Sequence, residues 1–191
     1  MCAGILISIG GAVFLACENR YVGSVMFTVA LLCICLKGYS LYTGRIGFIV
    51  ESHDKEYFGG LTLGLLGNAI GTVVCGYAIR YALPKLGDAA QALCEDKLGQ
   101  SFPQTLIRGI FCGVLMYLAV SIYKEKNNVI GIIFCIPVFI LAGFEHSIAD
   151  LFYFAASGIV SVKALGFIWT VILGNSIGAV ILPLLNLKKS K

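Results

Sequence analysis

The chain is 191 residues long, 59% hydrophobic and only 13% charged, with a mean hydropathy of +0.92, whereas a soluble domain carries about 25% charged and about 45–50% apolar residues. That excludes a water-soluble domain. The net charge of +4 is small and scattered, so it makes no nucleic-acid surface. Apolar runs able to cross a hydrocarbon core, at about 20 residues per helix, use up nearly the whole chain and leave no space for a soluble catalytic domain.

The first span runs from about Cys2 to Cys17 and stops at Glu18, Asn19 and Arg20. It has no basic n-region and leads into further spans, so it reads as a mature membrane segment and not a cleaved leader. The second starts near Val22, meets Lys37-Gly38-Tyr39-Ser40 after Leu36, and resumes through Leu41-Tyr42-Thr43-Gly44-Arg45. It is therefore interrupted. After the charged loop Glu51 to Glu56, a clean third span covers about Gly59 to Ile79, and Lys85 to Pro103 form the longest polar stretch. The fourth, Leu106 to Tyr123, ends at Lys124-Glu125-Lys126. The fifth is charge-free from Val129 to Phe144, meets Glu145, His146 and Asp150, and resumes at Leu151, which makes a second interrupted span. The sixth, Ala164 to about Leu187, precedes Lys188, Lys189 and Lys191. Of the eight cysteines only Cys94 falls in a polar loop, the stretch from Lys85 to Pro103. No CxxC pair occurs, so neither a disulfide scaffold nor a metal site is expected, and no cofactor is implied.

Broken backbone survives at membrane depth only where protein or a water-lined cavity covers it. Here two breaks fall at matching places in two three-span halves, and each half closes on a matching motif: Gly67-Asn68-Ala69-Ile70-Gly71 and Gly174-Asn175-Ser176-Ile177-Gly178. An odd number of spans per half inverts the second copy, as in many transporters. The predicted fold is thus an all-α membrane protein of six transmembrane helices in two inverted three-helix repeats, with the second and fifth helices broken, forming a single transmembrane channel domain over residues 1–191. The lysine-rich tail favours both termini in the cytoplasm. Basic residues on the opposite side, Lys97 and Arg108 among them, can draw anions into a vestibule.

Ionisable residues inside a span are functional candidates by default. Glu145-His146 is such a pair; the bland alternative is a helix end near the interface. His146 can donate a proton to a weak-acid anion or hydrogen-bond it. Glu145 lies about 100° round the helix and calls for a basic partner. At the first break, Thr43 offers a hydroxyl beside Gly44, and Leu41 and Tyr42 can narrow a pore. Lys37 has three readings: snorkelling to the interface, pairing with an acid, or placing positive charge near the path. The Gly-Asn-x-Ile-Gly copies suit close helix packing, with Asn68 and Asn175 needing partners in the broken segments.

Gly143-Phe144-Glu145-His146-Ser147-Ile148-Ala149, read with Leu41-Tyr42-Thr43-Gly44 and Gly174-Asn175-Ser176-Ile177-Gly178, resembles the formate/nitrite transporter family in motif order over most of the chain. The resemblance implies an aquaporin-like fold, a homopentamer with one pore per protomer in the lipid bilayer, and conduction of small monovalent anions such as formate, nitrite or hydrosulfide. It also implies Thr43 and His146 as the pore centre and Lys97 as a vestibule lysine, with Glu145 beside it. Leu31 and Phe139 match a constriction on the cytoplasmic side, and Leu41 and Tyr42 match the outer one. Asn68, Asn175 and Lys37 are assigned as supporting polar residues. Gly113, Asp150, Ser40 and Lys37 depart from the family pattern. The expected function is an anion channel, with proton exchange at His146 as an option, in a bacterial inner membrane. A neutral-solute or ammonium channel is the alternative. An enzyme is not expected, because no nucleophile or metal ligand has the right spacing to Glu145 and His146.

Overall fold

Each of the two broken helices ends on a glycine that no other residue type would easily replace. Gly38 has φ +68° and Gly143 φ +75°, the left-handed region where a Cβ is disfavoured. Beyond each, the chain folds back on the helix it has left: Tyr39 N–H donates to Ile34 at 2.9 Å and Phe144 N–H donates to Phe139 at 2.9 Å. This is the six-to-one bond that closes a Schellman stop.

The structure, a computed structural model, describes residues 1–52 and 54–186. It is helical throughout: α1 Cys2–Ala16, α2 Arg20–Leu36, α3 Tyr42–Arg45 with a 3-10 turn Ile46–Val50, α4 Lys55–Ala82, α5 Pro84–Leu98, α6 Phe102–Lys126, α7 Ile130–Ala142, α8 Ser147–Ser157 and α9 Val162–Asn186. The helices α4, α6 and α9 are long and apolar enough to cross a membrane, and so are α7 and α8 as a pair bent by 54°. Shorter apolar helices, α1 and α2, complete the set. The tail lysines Lys188, Lys189 and Lys191 lie outside the described residues.

Helix pairing explains the Gly-Asn motifs. α4 packs on α1 and α9 packs on α6, with backbones close enough that a Cβ on Gly71 would meet the Met1 carbonyl at 2.7 Å and one on Gly174 would meet the Leu106 carbonyl at 2.7 Å. The distal half of each broken helix crosses into the other set. The short α3 and its 3-10 turn pack on α6 and α9, whereas α8 packs on α4 and α5. All of α8 except Leu151 is buried. Its C-terminal end receives the Arg80 guanidinium, which donates to the carbonyls of Ala156 and Ser157, a cation placed where the helix dipole is negative.

The polar run Lys85 to Pro103, expected as a loop, is mostly the helix α5. Gly87, Ala90 and Cys94 are its buried residues, and their three-and-four spacing is one face of an amphipathic helix. Lys97 continues that stripe. Cys94 is therefore not in a loop but fully buried, and burial pushes its thiol up to about 12. Large apolar side chains remain exposed outside the bundle, among them Leu63, Val74, Tyr81, Leu165 and Trp169, a surface suited to lipid or further subunits and not to water.

Candidate functional site

The two asparagines tie the breaks together in the same way. Asn68 Oδ1 accepts from Tyr42 N–H at 2.9 Å, and its Nδ2 donates to the Ser40 carbonyl at 3.0 Å. Asn175 Oδ1 accepts from Ser147 N–H at 2.9 Å, and its Nδ2 donates to the Glu145 carbonyl at 2.8 Å and to Gly109 at 2.9 Å. In each half one side-chain amide satisfies the donor that opens a new helix and the acceptor two residues before it. Such groups, buried and unpaired, would each cost about 1–3 kcal/mol. The partners expected for Asn68 and Asn175 are thus found in the broken segments. A Cβ on Gly113 would run into the Asn175 backbone, which accounts for the absence of a side chain there.

Held by these amides, the breaks meet. Thr43 Oγ1 and His146 Nε2 are 2.8 Å apart, and both residues are buried. His146 is also the N-cap of α8, its Nδ1 accepting from Ala149 N–H at 3.1 Å. That bond assigns the tautomer: Nδ1 is bare, and the single ring proton sits on Nε2 and is donated to Thr43. The Thr43 hydroxyl proton is then left to turn toward another acceptor. In this geometry His146 is a hydrogen-bond donor and not an acid, since giving up its only ring proton would leave an imidazolate. Protonating Nδ1 would first break the cap.

A cavity of about 240 Å³ opens onto His146. The Phe139 ring stacks on the imidazole with centroids 5.7 Å apart, and Phe27 meets Phe139 edge-on at 6.3 Å. Both phenylalanines line the cavity together with Lys97, whereas Leu31, Leu41 and Tyr42 are buried and do not line it. The structure separates Phe139 from Leu31: residue 139 lies in the last turn of α7 before the break, and its ring lines the cavity with Lys97. Phe27, one helical turn before Leu31, meets that ring there and carried no signal within an apolar run. Tyr42 donates its hydroxyl to Ser176 Oγ at 2.8 Å, because Ser176 already donates to Ile172.

Glu145 finds the basic partner its position called for. Its Oε2 pairs with Lys97, its Oε1 accepts from Gln100 Nε2 at 2.7 Å, and Arg108 stands 3.9 Å away. Lys97 also pairs with Asp150 at 2.9 Å, and the rings of Tyr153 and Phe167 lie about 6 Å from its Nζ. Burial works against the Lys97 charge, but the carboxylates of Asp150 and Glu145 outweigh it and hold the ammonium above the usual lysine range. Lys97 thus lines the cavity as a paired cation and not a free one. Arg20, bonded to the Ile140 carbonyl at 3.0 Å, and the half-exposed Arg108 supply the less committed positive charge. Lys37 is exposed at the C-terminal end of α2, and its side chain makes no hydrogen bond or ion pair among the described residues.

Residues 1–187 match the family model described as Formate/nitrite transporter. The chain belongs to this family. It is 29% identical over 186 residues to the protein named Formate-nitrite transporter 2 from Toxoplasma gondii, a match that covers 86% of this chain and 40% of that one. The solved structure titled "FNT family ion channel" superposes with a TM-score of 0.87 at 21% identity, covering 99% of this chain and 87% of the other. One titled "Pentameric formate channel with formate bound" gives 0.83 at 23% identity, covering 99% and 94%. These likenesses establish the family and the fold of an integral membrane protein. The chain spans 40%, 55% and 65% of the length of three curated relatives it matches.

Proposed function

We propose that this protein is a channel or transporter for small monovalent anions, with formate and nitrite the first candidates and hydrosulfide a third. One observation carries the reading: a cavity edged by Arg20, Lys97 and Arg108 reaches His146, which the two breaks hold against Thr43. An anion drawn in by the guanidinium groups loses water between Phe27 and Phe139. It then takes over the Nε2–H that His146 otherwise gives to Thr43, beside the N-terminal end of α8, whose dipole favours negative charge without a full cation. Because His146 keeps its ring proton in this arrangement, it stabilises the anion by hydrogen bonding, and the proton that neutralises a weak acid comes from water.

The finer architecture belongs to the same proposal. The repeated glycine stops and asparagine straps support two inverted three-helix repeats making six spans in one domain. A homopentamer fits the exposed apolar faces and the printed title of the pentameric structural neighbour. The basic tail supports cytoplasmic termini, and a bacterial inner membrane is the location proposed with them. The deciding experiment is a flux panel on purified protein in liposomes, comparing formate, nitrite, hydrosulfide, chloride and ammonium across pH. Formate and nitrite flux well above ammonium is expected. Ammonium flux without anion flux would overturn the reading.

A further inference from the structure

At the mouth, two buried carboxylates share one ammonium. Lys97 contacts Glu145 and lies 2.9 Å from Asp150 Oδ1. Both Glu145 oxygens have partners, in Lys97 and Gln100. Asp150 is only 1% exposed, and its Oδ2 is buried with no partner. One ammonium thus holds the two carboxyl groups side by side. Two buried carboxylates sharing one cation favour a proton on one of them.

The surrounding charges do not remove the imbalance. From α5, Lys97 and the neutral Cys94 face Asp150, and Asp96 lines the same cavity. From α6 come Cys112 and the half-exposed Arg108, which sits nearer Glu145. The break contributes Glu145 and a neutral His146, and α8 itself contributes Tyr153. Arg80 of α4 is spent at the far end of α8. Arg45 of α3 bonds Ser40, α1 carries no charged residue, and Lys163 is exposed in the first turn of α9. The cavity wall thus carries three cations, Arg20, Lys97 and Arg108, against three carboxylates, Asp96, Glu145 and Asp150.

We propose that the Asp150–Glu145 pair is a proton-binding site, with Asp150 as the carrier, and that its occupancy sets the charge an incoming anion meets. The proton comes from water in the mouth and sits on the unpartnered Asp150 oxygen. Bound, it leaves the wall with one net positive charge and the entrance admits anions. Released, it leaves the wall neutral and the buried trio of Lys97, Glu145 and Asp150 net negative, and admission falls. The consequence for transport rests on the anion-channel reading; the proton site itself does not.

The test compares Asp150→Asn with wild type in liposomes, measuring formate flux from pH 6 to pH 8. Asn keeps an oxygen for Lys97 and is neutral at every pH. Formate's own protonation affects both proteins equally, so the variant-to-wild-type flux ratio isolates the protein. The ratio is expected to be near one at the acid end and to rise roughly three- to tenfold at the alkaline end. A ratio that does not change with pH overturns the proposal. Infrared difference spectroscopy on wild type gives a second readout that needs no variant: a protonated-carboxyl band that disappears as pH rises supports the site, and its absence throughout refutes it. If neither protein passes formate at any pH, the channel reading fails and the infrared band still decides the proton site.

Discussion

The two breaks are one scaffold used for two purposes. Both stop on a left-handed glycine, Gly38 or Gly143, and both are strapped by an asparagine from the last helix of their half, Asn68 or Asn175. Past that point they diverge. The first continues as the four-residue α3 and a 3-10 turn, and contributes the Thr43 hydroxyl and the apolar Leu41 and Tyr42. The second continues as the 11-residue α8 and buries Glu145, His146 and Asp150 around its first turn. Backbone geometry is duplicated, whereas the charged chemistry lies on one side only. An N-terminal helix end of useful length forms only at the second break, and that is where carboxylates and an anion-binding donor gain from the dipole.

This asymmetry is sharpest in the two lysines. Removing Lys97 strands two buried carboxylates, so Lys97→Met is expected to destabilise the protein by about 3–5 kcal/mol. Lys37→Met, at an exposed helix end, should stay within about 0.5 kcal/mol. Thermal unfolding in detergent checks both, and equal effects would break the contrast. The scaffold should by comparison be symmetric: Asn68→Leu and Asn175→Leu each orphan buried backbone groups and should each lose about 2 kcal/mol. A loss confined to one of them would mean that the straps are not equivalent.

Function should follow the second break more than the first. His146→Asn keeps a side chain able to cap α8 but loses the imidazole donor, so formate flux should drop roughly tenfold, the worth of one hydrogen bond, while the fold survives. Thr43→Val should cost less, roughly threefold, because His146 remains. Liposome flux at constant pH separates the two. The smallest effect is electrostatic: Arg108→Gln should lower flux about twofold at low ionic strength and not at all near 1 M salt, where charges are screened within about 3 Å. A salt-independent loss would place Arg108 in direct contact with the anion.

Much of the scaffold was legible along the chain because its signals are local. A glycine beside a polar residue in an apolar run marks a break, and Gly-Asn-x-Ile-Gly marks a close helix crossing. The candidate site was legible in part. Glu145, His146 and Thr43 stood out as ionisable or hydroxyl groups inside apolar runs, and Lys97 was marked by the family resemblance; Glu145 was read on a helix, whereas it lies in the break before α8. Phe27 did not stand out, because one phenylalanine among apolar neighbours carries no mark of which side of a pore it faces. The stripe Gly87, Ala90, Cys94 and Lys97 was hidden by the polar residues between its members, so α5 read as a loop and its lysine as a free vestibule charge.

Composition and spacing by themselves determined that this chain belongs in a bilayer, where its helices break, and which amides must serve the breaks. Apolarity selects the solvent, and backbone groups freed in hydrocarbon must find partners nearby. Only the tertiary structure decided which groups meet: Thr43 with His146 across 103 residues, and Lys97 with Glu145 across 48. It also decided that Asp150 competes for the same ammonium. Those pairings arise because each half-helix crosses into the opposite set of helices, and no local pattern records that crossing.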